Sequence, residues 1–175
     1  TPLYSSAASD VYKRQSQSNF AVVNSNGIEA AYNTTSSKYS VRWQGEDSSG
    51  YEEGYARDVN ALDIEELALK ALAMARRSAQ PMRDLPAGKY TVVLAPECAA
   101  TMLNFLTWLG FSGKDYLDGS SFMVGKMGEP VTGSQITITD DPLDPRTLGL
   151  PCDAAGVPKQ RLALIDSGVA RGVAH

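Results

Sequence analysis

Over the first third of the chain, apolar and polar residues alternate in short runs separated by turn formers. Residues 20–24 read as a strand and residues 28–32 as its return. Between them lies Ser25-Asn26-Gly27, and Asn-Gly favours tight hairpin turns because both positions tolerate positive φ. Residues 38–44 alternate as a third strand, and Ser48-Ser49-Gly50 leads into a fourth over residues 51–59. Four consecutive strands joined by tight turns predict an antiparallel meander. Ser40, Arg42 and Gln44 give it one wet face.

The period then changes. Ile64, Leu67, Ala71, Met74 and Ala75 form one helical stripe. Asp63 with Glu66 makes a capping-box-like start, Arg76 and Arg77 suit the negative end of the dipole, and Pro81 stops the helix. Residues 89–94 are rich in β-branched side chains and predict a buried strand. A second helix is expected from Pro96, with Glu97 in its first turn and Gly110 as its C′ residue. Met102, Leu103, Phe105, Leu106, Trp108 and Leu109 make it apolar nearly all round, so burial in the core or against another chain is expected.

Residues 111–120 read as loop, and residues 121–128 and 135–139 as short strands. Two loops follow, over residues 140–145 and 150–158. Residues 161–166, the Ser167-Gly168 turn and residues 169–174 predict a terminal hairpin that stops inside its second arm. The fold class is therefore α+β. An antiparallel meander with a helix (residues 16–85) precedes the beginning of a β-rich domain (residues 86–175) whose remaining strands are expected to be missing. Residues 1–15 are polar, Ser-rich and aperiodic. Residues 8–15 resemble a translated sequencing adapter, and the segment is expected to be such a scar or a disordered tail outside the fold.

Composition narrows the functional classes. The chain has 175 residues, a net charge of −4 and 21% charged residues, with no basic patch of the kind nucleic-acid binders carry. No apolar run reaches the ~18 residues of a membrane span. Cys98 and Cys152 lack metal-ligand spacing and are expected to be buried free thiols, which points to the cytoplasm. The single histidine, His175, is expected to be a solvated terminal residue, and one histidine excludes a multi-histidine metal site within the chain. Glycine-rich phosphate-binding signatures do not occur. Asp140, Asp141 and Asp144 could offer oxygen ligands to a hard cation, or form a proline-stiffened turn with solvated carboxylates. Glu52 and Glu53 form a surface pair in a strand.

Several segments, in order, resemble the PmbA/TldD metallopeptidase family: residues 48–51, 55–58, 63–68, 86–97, 121–129 and 137–142. The most specific is the run Asp153-Ala154-Ala155-Gly156-Val157-Pro158-Lys159-Gln160-Arg161, followed by residues 164–172. The resemblance covers about residues 20–175. It implies a family whose members pair as heterodimers, one TldD-like subunit carrying H-E-x-x-x-H on a helix just after a strand. Two imidazoles there hold zinc and the glutamate activates bound water. Laid on this chain, the motif falls on Asn104, Phe105 and Leu109, an amide and two hydrocarbon side chains.

The resemblance therefore implies no catalytic, cofactor-binding or metal residue in this chain. It implies a non-catalytic PmbA/TldE-type subunit of a cytoplasmic bacterial protease, with zinc in a TldD-like partner and peptide or unfolded protein as substrate. Neither nucleic acid nor membrane is an expected partner. The alternatives are a hydrolase whose active site lies outside these residues and a non-enzymatic scaffold.

Overall fold

The computed structural model describes residues 8–81 and 84–174. The chain divides into two compact units, Thr1–Pro86 with Asp144–Lys159, and Ala87–Leu143 with Gln160–His175.

The first unit is built on a three-stranded antiparallel sheet in the order β1-β2-β3, with β1 at Ala8–Val23, β2 at Glu29–Gln44 and β3 at Ser49–Ala56. β1 and β2 form one long hairpin, in register from Ala8↔Gln44 to Val23↔Glu29. Its turn is closed by the Asn24 side chain, whose Oδ1 accepts from the backbone N–H of Asn26 and Ile28 at 3.0 and 3.2 Å, while Gly27 takes φ +80°. Two expectations change here. The predicted second and third strands are one, because the polar residues 33–37 pair with residues 15–19 across the hairpin. The meander accordingly has three strands. Residues 8–15, expected to lie outside the fold, instead extend β1 against residues 37–44. Ladder pairing satisfies their backbone without an apolar pattern, and the side chains of residues 9–15 stay exposed. Residues 1–7 and His175 lie outside the described residues.

α1 (Ile64–Ser78) covers one face of this sheet with Ile64, Leu67 and Ala71 of its expected stripe and with Ala68, whereas Met74 of that stripe is exposed. The Asp63 carboxylate accepts from the Glu66 N–H at 2.8 Å, which caps the helix. Tyr39, Val41 and Ala71 form the buried centre, with Trp43, Leu62, Ile64, Leu67 and Ala68 packed around it. Trp43 Nε1 donates to the Ala68 carbonyl at 3.3 Å. Gly50 lets β3 and α1 touch backbone to backbone, since a Cβ there would lie 1.9 Å from the Ala71 carbonyl oxygen. Residues 144–159 belong to this unit. Arg57 holds them by donating from Nε to the Thr147 carbonyl at 3.0 Å and from Nη2 to the Gly149 carbonyl at 2.6 Å. The loop at Asp153 is closed by its own carboxylate, which accepts from the N–H of Ala155 and Val157 at 2.8 and 2.9 Å.

The second unit contains α2 (Pro96–Gly110), α3 (Gly113–Leu117) and a small antiparallel sheet. The sheet has the order β4-β5-β6, from Ile138–Asp140, Leu162–Asp166 and Val169–Ala170. Phe111, Met123, Leu164, Ile165, Ala170 and Val173 form its core. Residues 89–94 are not a strand here. They pair with no strand among the described residues, and Val93 is 98% exposed. Residues 121–128 form turns instead of a strand. Ser121 Oγ accepts from the Met123 N–H at 3.0 Å, and Gly125 and Gly128 take φ +71° and +84°, which no strand accommodates. β4 lies later than the expected 135–139, and α3 occupies part of the expected loop, capped by Ser112. The terminal hairpin forms, but β6 is only two residues long. Beyond it, Ala174 N–H turns to the Phe111 carbonyl at 2.7 Å.

Candidate functional site: the apolar helix and its cleft

α2 begins at Pro96, preceded by Ala95 without a side-chain cap, and carries Glu97 as its acidic first-turn residue. Gly110 is not a left-handed C′ residue. It is the last helical residue and is buried, because a Cβ there would lie 2.2 Å from the Phe122 ring. Only Gly110 is buried, and Ala99 and Leu106 are half-buried. Burial over most of the helix was the expectation, and within this unit it does not occur, because the core reaches only that stripe. Cys98 likewise is exposed on the first turn, whereas Cys152 is buried.

Asn104, Phe105 and Leu109, where the resemblance lays the zinc motif, are all exposed. Phe105 and Leu109 are 56% and 69% exposed, and Phe105 meets Trp108 edge to face at 6.2 Å. A phenyl ring and an isobutyl group have no lone pair for zinc, and an amide oxygen is a weak ligand for it. Zinc therefore does not fit these positions. Among the described residues, no group of three or more His, Cys, Asp or Glu side chains is placed to hold a metal ion.

On the other flank of α2 lies a cleft of about 560 Å³ that the sequence did not reveal. Leu103 and Thr107 of α2 form one wall, Phe111 and Leu164 the floor, and Ile138 and Asp140 of β4 the opposite rim. Leu103 and Thr107 are four apart on one helix face, which is the only trace of the cleft in the sequence.

The carboxylates raised as candidates go elsewhere. Asp141 pairs with Arg161 at 3.4 Å. Asp144 pairs with Arg146 at 2.6 Å, and the guanidinium holds its carboxyl well down, at about 2. Glu53 accepts from Tyr51 Oη at 2.6 Å and pairs with Lys38 Nζ at 3.0 Å. The hydrogen bond from the Tyr51 hydroxyl, with the Lys38 ammonium beside it, draws the Glu53 carboxyl below its ordinary value, and Lys38 stays protonated well above the usual lysine range. Glu53 is thus the centre of a satisfied surface cluster. Glu52 is half-buried in β3.

Residues 87–175 match the model of the PmbA/TldA metallopeptidase C-terminal domain. The chain belongs to the PmbA/TldD metallopeptidase family. It is 30% identical over 151 residues to an uncharacterized protein of Methanocaldococcus jannaschii, covering 85% of this chain and 35% of that relative. It is 36% identical over 88 residues to a metalloprotease TldD homolog of Haemophilus influenzae, covering 50% of this chain and 18% of that protein.

Two solved structures share the fold. One, described as a modulator of DNA gyrase from Thermotoga maritima, aligns with a TM-score of 0.79 at 23% identity, over 94% of this chain and 39% of that one. The other is TldE from Thermococcus kodakarensis, with a TM-score of 0.67 at 20% identity, over 95% of this chain and 38% of that one. The chain thus spans little more than a third of the length of these two structures. No helix among the described residues is long and apolar enough to cross a membrane.

Proposed function

We propose that this chain is the non-catalytic, PmbA/TldE-type member of a cytoplasmic PmbA/TldD protease pair. The peptidase activity belongs to a TldD-like partner that carries the zinc, and the substrate is peptide or unfolded protein. The observation that carries this reading is the donor chemistry of α2. An amide, a phenyl ring and an isobutyl group stand where the family resemblance lays the zinc-binding motif, and two of the three are more than half exposed. A helix surface of that chemistry suits contact with protein better than coordination of an ion.

The test is to purify the chain alone and co-expressed with a TldD-like protein, then to measure bound zinc and cleavage of an unfolded protein. The expected result is zinc and chelator-sensitive cleavage only in the co-expressed pair. Stoichiometric zinc together with cleavage by the chain alone would overturn the proposal.

A further inference from the structure

We propose that Asn26 is a self-modifying site, which the backbone nitrogen of Gly27 converts through a succinimide into aspartate and isoaspartate. The chemistry needs no partner, metal or cofactor, only water.

Asn26 is the one asparagine of the chain that a glycine follows. It stands exposed at the tip of the β1–β2 hairpin, and no hydrogen bond holds its side chain among the described residues. The other asparagines are held or hindered. Asn24 Oδ1 accepts from two backbone N–H groups, and Asn60 Nδ2 donates to Asp58 at 3.0 Å. Asn19 and Asn33 are paired across the β1–β2 ladder, and Asn104 lies inside α2 ahead of Phe105. Gly27 carries no Cβ to shield its nitrogen, and a Cβ built there would meet nothing within 4 Å, so no neighbouring side chain crowds the approach.

The reaction balances on these two residues and water. The Gly27 nitrogen gives its proton to hydroxide and attacks Asn26 Cγ. The N–Cγ bond forms, the Cγ–Nδ2 bond breaks, and ammonia leaves with a proton from water. A second water then opens the five-membered imide. Attack at Cγ leaves an ordinary aspartate, whereas attack at the main-chain carbonyl carbon leaves the peptide link running through Cγ as isoaspartate. Either product adds one negative charge to the chain's −4.

The turn sets the pace. Gly27 N–H donates to the Asn24 carbonyl at 3.1 Å, and Asn24 Oδ1 accepts from the Asn26 and Ile28 N–H at 3.0 and 3.2 Å. Closed, these bonds occupy the attacking nitrogen and fix the Asn26 backbone. Opening the tip frees both, and an exposed loop end held by hydrogen bonds opens at a small fraction of the cost of global unfolding. Isoaspartate then adds an atom to the backbone of the loop, so the same bonds cannot re-form.

The test holds the 175-residue chain at mildly alkaline pH for several weeks. Ion-exchange chromatography follows the acidic species, and peptide mapping with isoaspartyl methyltransferase locates it. One more acidic species is expected, mapped to Asn26 and absent in Asn26→Gln, whose longer side chain does not close the five-membered ring. The chain should react about 30-fold more slowly than a free peptide of residues 21–30, the worth of two net hydrogen bonds. Asn24→Ala deletes the side-chain acceptor of the turn and should speed the reaction about fivefold, with the far-UV spectrum unchanged. Three results each overturn the proposal: no conversion at Asn26 while the peptide converts fully, a first acidic species mapped to another asparagine, or an Asn24→Ala chain that reacts no faster than its parent.

Discussion

Replacing Gly50 by alanine separates two effects of opposite sign. In the unfolded chain, alanine has fewer conformations to lose, which on its own stabilises the fold by about 0.4–1 kcal/mol. In the folded first unit, the added methyl meets backbone. It would stand 1.9 Å from the Ala71 carbonyl oxygen and 2.6 Å from the Ala75 nitrogen, whereas ordinary contact begins at 3.4 Å. Neither atom can swing away as a flexible side chain would, so α1 must retreat from β3 by about 1.5 Å. A radial gap of 0.5–1 Å already forfeits a quarter to a half of each dispersion contact. The contacts at risk are those of Ala71, fully buried, and of Val41 and Tyr39 beneath the helix.

Overpacking therefore wins, and we expect Gly50→Ala to destabilise by about 3 kcal/mol, at the upper end for inserted methyls. Urea unfolding followed by far-UV circular dichroism and by tryptophan emission measures it, since Trp43 is bonded to α1. Gly133→Ala is the control, because a Cβ there meets nothing within 4 Å, and its unfolding free energy should change by less than about 0.5 kcal/mol. A Gly50→Ala chain as stable as its parent, or more stable, would refute the backbone contact between α1 and β3.

Two further predictions follow from the first unit. Gly156→Ala should lower the unfolding midpoint, because Gly156 has φ +84° and a methyl there would lie 2.6 Å from both Val22 and Ile28; about 2 kcal/mol is expected from strain and crowding together. The Asp144 carboxyl should titrate by NMR at about 2, below its unfolded value of 3.8, because Arg146 bonds its charged form. The folded value is depressed, so the contribution of this pair is complete above the unfolded value. It fades as pH falls from 3.8 to about 2, and Arg146→Gln should return the midpoint toward the ordinary range.

Local chemistry was legible where a short stretch satisfies itself. The Asp63 cap, the α1 stripe, the Asn24–Gly27 turn and the β5 hairpin arm all rest on contacts within a few residues. The misread segments depended on distant partners. Residues 33–37 carry no apolar alternation, and only pairing with residues 15–19 makes them strand. Residues 89–94 have strand composition without a strand beside them, and composition does not supply the missing hydrogen bonds. Gly125 and Gly128 sit in a run that reads as β-rich, yet their positive φ turns it.

The amino-acid sequence alone determined the α+β class and the first-unit helix with its cap. Each follows from side-chain identity and near-neighbour spacing. The tertiary structure decided the merging of two strands into β2, the return of residues 144–159 to the first unit, the exposure of α2 within its own unit, and the cleft that sets β4 across from Leu103 and Thr107. These depend on which remote backbone groups and surfaces meet, and a contact between positions dozens of residues apart has no periodic signature in the chain.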